Sequence, residues 1–328
     1  MLRTGLLVVL ALGVMPAVVV PGGLPGGTHS ASSSPSSVRA AQPDPGASRP
    51  RPMASRTALG AGPRQPPAQV AHHAYGPQPR QRLTAYWHPG DRAPRAGVVI
   101  LHGGFWAKDT DWSRWARTYA DAGYAVFDLY YRLNSDAVWP AQRDDALRAL
   151  RWIRTHAADY SLDPDRLVLL GSSAGGQIAA SVATHGAGRK HVAGAVALSP
   201  VASPYRAWLT GGLPDATPDQ RKLRLNAELL TGCPPRRADA RCWAAWRSAV
   251  VKNAASGADD APMLLVHSAQ DWVSVEHSTD LATAEWERGM PRADLTLDVV
   301  PGAAHGMRLL DDAAVRGRVA AWIAARTS

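Results

Sequence analysis

Leu167-Val-Leu-Leu-Gly-Ser-Ser-Ala-Gly-Gly-Gln177 decides the reading of this chain: an apolar β-type run passes through Gly-x-Ser-x-Gly directly into a helical pattern. A serine on so sharp a strand-to-helix turn takes strained backbone angles. The chain packs so tightly around it that the positions two before and two after must be nearly bare of side chain. Gly171 and Gly175 meet that demand for Ser173. Were Ser172 at the turn, Leu170 and Ala174 would stand in those places, and the leucine would clash. The register selects Ser173 as the activatable hydroxyl.

Working outward, short β-rich runs alternate with amphipathic helical stretches from residue 82 onward, which predicts an α/β fold with a mostly parallel, doubly wound sheet covered by helices on both faces. Arg82–Trp87, Gly97–Leu101, Ala125–Tyr130, Arg166–Leu170, Ala193–Leu198, Met263–His267 and Leu295–Val300 read as strands. Helices are expected over 112–122 with Gly123 closing the first, from Pro140 to about Ala158, and over 174–184, 278–288 and 313–325. The alternation stops between Pro200 and Ala261. About sixty residues of mixed helix and loop are long for a connection, so 201–261 reads as a lid or cap insertion over the carboxyl edge of the sheet.

The amino-terminal quarter is different in kind. One charge, Arg3, precedes an apolar run from Leu6 to Val20 that Pro16 interrupts, which reads as a secretory signal over residues 1–31, with a second small-residue cleavage region near 41. The expected location is secreted; an uncleaved segment anchoring the protein on the outer face is the alternative. Residues 32–80 read as a disordered Pro-, Ala- and Ser-rich linker, since 22–80 hold eleven of the 26 prolines and no sustained apolar period. The catalytic-sized domain is then 81–328. The net charge of +9 divides unevenly, because residues 1–80 carry seven arginines and one aspartate. The folded part is left near +3, without the basic excess that nucleic-acid binding requires. In an exported chain the two cysteines, Cys233 and Cys242, should pair as a disulfide inside the insertion; with no histidine nearby they make a poor metal site.

A serine hydroxyl needs a base to take its proton and a carboxylate to orient that base. Asp271 follows the 263–267 strand by four residues, and His305 follows the 295–300 strand within Pro301-Gly-Ala-Ala-His-Gly306. Rival groups have plainer readings. His277 starts a helix and suits a solvated or capping role, Asp259 and Asp260 precede their strand, and Asp144 and Asp145 suit a salt bridge or helix-start charge. Acyl transfer also builds an oxyanion that backbone N–H groups must stabilise. His102-Gly-Gly-Phe-Trp106, directly after a strand, is placed to supply the amides of Gly104 and Phe105, with Gly103 in reserve and Ala174 after the serine as the third; a mere tight turn is the plainer alternative. His102 itself is expected to brace the loop.

Together, His102-Gly-Gly-Phe-Trp106, Tyr131-Arg-Leu133, Gly171-Ser-Ser-Ala-Gly-Gly176, Asp271 and His305 resemble the α/β-hydrolase superfamily over about residues 82–326, especially its hormone-sensitive-lipase-like and feruloyl-esterase-like carboxylesterases. The aromatic-Trp form of the loop is also similar to kynurenine formamidases. The resemblance implies the chain order Ser173, Asp271, His305 for a catalytic triad, and a serine hydrolase of small-molecule esters, short-chain or aryl, working without metal or organic cofactor. Alternatives are an N-formyl amide hydrolase, a peptidase, or a non-catalytic binding module of the same fold. Two departures stand out: Phe105 replaces a third glycine, and Ser268 occupies a position where relatives usually carry glycine. Trp106 and Trp272 are expected to line the substrate pocket, with Phe105 and the insertion's Trp208, Trp243 and Trp246 as further candidates; core packing is the alternative for the tryptophans.

Overall fold

The computed structural model describes residues 66–90, 94–236 and 238–328, all within one compact unit, Gly62–Ser328. The expected signal over 1–31 and the linker up to residue 65 lie outside the described residues. Eight strands form one sheet: β1 (Gln69–Ala74), β2 (Arg82–Trp87), β3 (Arg95–Leu101), β4 (Ala125–Tyr130), β5 (Leu162–Ser172), β6 (Gly194–Leu198), β7 (Met263–Ser268) and β8 (Leu295–Val300). Their spatial order is β1-β2-β4-β3-β5-β6-β7-β8, antiparallel from β1 to β4 and parallel from there on.

The sequence period explains both faces. In β3, Val99 and Leu101 point to the face covered by α2 (Ala141–Thr155), α3 (Ala174–Ala183) and α7 (Glu276–Glu287). Val98 and Ile100 point to the face covered by α1 (Ser113–Asp121) and α8 (Ala313–Arg326). All four are fully buried, and burying each such side chain contributes roughly 2 kcal/mol. A strand apolar at every position belongs in the middle of a two-sided sheet.

The expected linker ends earlier than residue 80. Residues 69–74 pair with β2 as the edge strand β1, although His72 and His73 give them little apolar character. The pairing is tied down at its end by Tyr75, whose hydroxyl donates to the Tyr130 carbonyl at 2.6 Å, and by Gln81, whose amide donates to buried Asp145 at 2.6 Å. Asp145 is also held by the Arg132 guanidinium, the salt-bridge role expected for it.

The insertion folds into three helices, α4 (Pro204–Thr210), α5 (Pro218–Thr231) and α6 (Ala240–Ala249). Helix α5 begins with a capping box between Thr217 and Gln220 and ends at Gly232 in the left-handed region. The Cys233–Cys242 disulfide closes the turn between α5 and α6. Among the described residues, no helix is long and apolar enough to cross a membrane.

Candidate active site

The carboxyl ends of β3, β5, β6, β7 and β8 meet at one place, and Ser173 stands at its centre. Between β5 and α3 its backbone takes φ 55° and ψ −114°, the strained turn expected of the sequence. The demand for glycine has a direct geometric basis. A Cβ on Gly175 would lie 2.1 Å from the Leu101 carbonyl oxygen, and one on Gly171 2.3 Å from that of Gly175. The strand and helix cross with no room for a methyl group.

His305 enters from the loop after β8, and Asp271 from the loop after β7. The His305 Nδ1–H donates to both carboxylate oxygens of Asp271, at 2.9 and 3.0 Å, which fixes the tautomer and leaves Nε2 as the acceptor. The Asp271 side chain is fully buried and accepts a second bond from the Val273 amide at 3.0 Å. The backbone beside His305 lies against the serine, since a Cβ on Gly306 would sit 3.8 Å from the Ser173 Cβ.

The loop after β3 closes the third side. Gly104, Phe105 and Trp106 follow one another with positive φ of 109°, 62° and 55°, a conformation that a non-glycine residue adopts only when its surroundings hold it. His102 supplies the hold. Its Nδ1–H donates to the Gly103 carbonyl at 2.7 Å, its Nε2 lies 3.1 Å from Asp109, and its ring stacks on Tyr131 at 4.3 Å. Tyr131 in turn donates its hydroxyl to the His102 carbonyl at 2.9 Å, the physical content of the Tyr131-Arg-Leu133 motif. The bond to His102 is the main reason the Asp109 carboxyl titrates below the usual carboxylate range. The amides of Gly104, Phe105 and Ala174 donate to no other group among the described residues.

Known proteins share this arrangement in part. The model of the BD-FAE family matches residues 83–199, from β2 to just past β6, the span that carries the loop after β3 and the elbow. Esterase B from Lactobacillus rhamnosis has the same fold with TM-score 0.65 at 21% identity, over 80% of this chain and 87% of that one. The chain has the α/β-hydrolase fold. Esterase LipQ of Mycobacterium tuberculosis is 35% identical to this chain over 123 residues, 35% of this chain and 29% of the relative. Carboxylesterase NlhH of the same species is 40% identical over 105 residues, 31% of this chain and 33% of the relative. The matches thus span about a third of the length of these curated relatives.

Two expectations need correction. Trp106 does not line a pocket: it is fully buried, and its Nε1–H donates to Gln177 of α3 at 3.2 Å, so it is part of the packing beneath the elbow. His277 is neither solvated nor a cap. It is buried, accepts from the Ser203 amide at 3.0 Å, and burial pushes its pKa down to about 3. Trp272 is partly exposed, with its ring 4.6 Å from that of His305. Trp208, Trp243 and Trp246 gather around Tyr205 as the aromatic core of the cap. Trp243 and Trp246 also border a cleft of about 400 Å³ whose lining does not include Ser173, Asp271 or His305.

Sequence reasoning missed three serines. Ser268 Oγ donates to the Ala304 carbonyl at 2.7 Å, while Ser199 Oγ accepts from the Gly306 amide at 3.0 Å and Ser172 Oγ from the Met307 amide at 2.8 Å. All three are buried, and they come from the ends of β7, β6 and β5 in a row. They bind the backbone on both sides of His305. The only signal for them was Ser268 standing where glycine is usual.

Proposed function

We propose that this α/β-hydrolase is a carboxylic-ester hydrolase that works through an acyl-enzyme on Ser173. The observation that carries the reading is the convergence of a strained serine, a histidine whose tautomer a buried carboxylate fixes, and an undonated set of backbone amides on one edge of the sheet. The esterase relatives point the same way.

Ser173 Oγ attacks the ester carbonyl carbon while His305 Nε2 takes its proton, and Asp271 stabilises the imidazolium. The carbonyl oxygen becomes an oxyanion facing the Gly104, Phe105 and Ala174 amides, each donor contributing about 3 kcal/mol in comparable sites. Collapse of the tetrahedral adduct breaks the bond to the alkoxy oxygen, which leaves as the alcohol with the His305 proton. Water, deprotonated by His305, then attacks the acyl-enzyme and releases the acid. The substrates are small esters with short acyl or aryl groups.

We further propose that the protein acts outside the cell, a reading supported by the apolar leader from Leu6 to Val20 and by the Cys233–Cys242 disulfide. Hydrolysis of p-nitrophenyl acetate and butyrate by the purified protein tests the activity. Replacing Ser173 with alanine should lower the rate at least about a thousandfold and abolish labelling by a fluorophosphonate probe. Labelling that persists in Ser173→Ala refutes the assignment.

A further inference from the structure

The cap places one charge against the site. Helix α5 is fastened over the loop after β7 by Gln220, whose Nε2–H donates to the Trp272 carbonyl at 3.0 Å. Its other end is fastened to the loop after β4 by Asn226, whose side-chain oxygen accepts from Asn134 at 2.9 Å, and by the Leu230 carbonyl, which accepts from the Trp139 amide at 2.7 Å. So seated, the helix extends Lys222 over the ring of Phe105, with Nζ 4.8 Å from the ring centroid. Phe105 stacks on Trp272 at 5.8 Å, and Trp272 lies 4.6 Å from the His305 ring. The ammonium is therefore linked to the reacting groups through two aromatic rings in contact, both partly exposed.

Lys222 has no carboxylate partner among the described residues. Asp219, one helical turn earlier, makes no ion pair with it, and Asp109, the acid in the loop beneath, is engaged by Arg80 and His102. By contrast, Arg206 of α4 and Lys252 share Asp280 at 2.7 and 2.8 Å. An unpaired ammonium beside an aromatic wall attracts a negatively charged group on whatever lies along that wall, with an energy set by solvent exposure.

We propose that Lys222 makes this site selective for esters that carry a carboxylate, with the uncharged part of the substrate lying along Phe105 and Trp272. The inference rests on the esterase reading above and goes beyond it by naming the substrate class and the residue that sets it.

The test uses matched pairs on the intact protein: p-nitrophenyl hemisuccinate against its methyl ester, which varies the acyl side, and 4-acetoxybenzoate against methyl 4-acetoxybenzoate, which varies the alcohol side. The readout is the charged-to-neutral ratio of kcat/KM within each variant, so any general loss of activity cancels. In at least one pair the ratio should fall about threefold in Lys222→Met and about tenfold in Lys222→Glu, with Lys222→Arg restoring it, the size expected of an exposed ion pair. About 0.5 M salt should narrow the differences. Equal ratios in all four proteins, for both pairs, overturn the proposal while leaving the esterase reading intact. Failure of the wild type to hydrolyse any of the four esters overturns both.

Discussion

The edge of the sheet and the cap above it are built on different principles. At the edge, strand register does the positioning: Ser172, Ser199 and Ser268 stand in a row because β5, β6 and β7 run parallel in register, and their hydroxyls bind the backbone at residues 304, 306 and 307. In the cap, no strand sets the spacing. Its helices are held by an aromatic cluster around Tyr205, one disulfide and a few side-chain bonds to the sheet. The difference separates two tasks. Groups that transfer a proton must be held to within a fraction of an ångström, whereas groups that select a substrate can tolerate looser support.

The most damaging way to test that division is to remove one hydroxyl from the row. In Ser172→Ala the Met307 amide loses its acceptor in a buried setting, which costs about 1–3 kcal/mol locally, and the His305 loop is free to shift. Because a displacement near 1 Å in a reacting group costs up to about a hundredfold, kcat should drop roughly 10- to 100-fold with KM little changed. Ser268→Gly, which restores the residue usual in relatives, should cost less. Steady-state kinetics on p-nitrophenyl butyrate decide it: an unchanged kcat in Ser172→Ala would mean the row only holds the fold together.

How much of this was legible beforehand follows the same division. The elbow could be read because Gly171 and Gly175 are forced by backbone crossing, and the strands because β3 and the Leu167–Leu170 half of β5 are apolar at nearly every position. Asp271 and His305 follow from their places just beyond β7 and β8, and the two come together through a 2.9 Å hydrogen bond. Edge strand β1 was not legible, since a strand with one covered face and two histidines has no continuous apolar signature. Trp106 misled because a tryptophan in a Gly-rich loop looks exposed, while positive φ at three successive residues turns its ring inward beneath α3. The serine row left almost no trace, because one hydroxyl among many carries no period. Lys222 left none, as the role proposed for it depends on where helix α5 sits over the sheet.

The cap should respond to the opposite kind of change. Cysteines 233 and 242 close a short loop, with a sequence separation of 9, and such a bridge contributes about 2–3 kcal/mol through the unfolded chain. A Cys233→Ser, Cys242→Ser double variant should lose thermal stability and become sensitive to proteolysis between α5 and α6, yet keep kcat/KM for p-nitrophenyl acetate within about threefold, because no member of the site depends on that turn. A loss of turnover much larger than that, in protein still folded at the assay temperature, would show that the cap positions the reacting groups as well as covering them.

The smallest effect is expected at the seam where the cap's chain returns to the sheet. Glu285 of α7 and Asp260, just before β7, are both fully buried and face one another, with the Gly257 amide 3.3 Å from an oxygen of each. Asp260 also accepts from the Ser256 amide and hydroxyl, both at 2.6 Å. Burial first, and the Asp260 charge second, push the Glu285 pKa up to about 8; Arg288, the nearby cation, offsets this only in part. An acid whose pKa is raised on folding binds more protons in the native state than in the unfolded one. Its contribution is therefore complete below the ordinary glutamate range and is lost as pH rises toward 8. Wild-type Tm should fall between pH 6 and 9 by roughly 5 °C, while Glu285→Gln, which keeps a hydrogen-bond donor toward Asp260 and has no proton to lose, should melt with a flatter pH dependence. Parallel decline of the two proteins would remove the carboxyl pair as the cause. A flat profile in the variant alone would show that the chain returning from the cap to the sheet is held at neutral pH by the proton on Glu285, a side-chain device of the kind that holds the cap and unlike the register that holds the site.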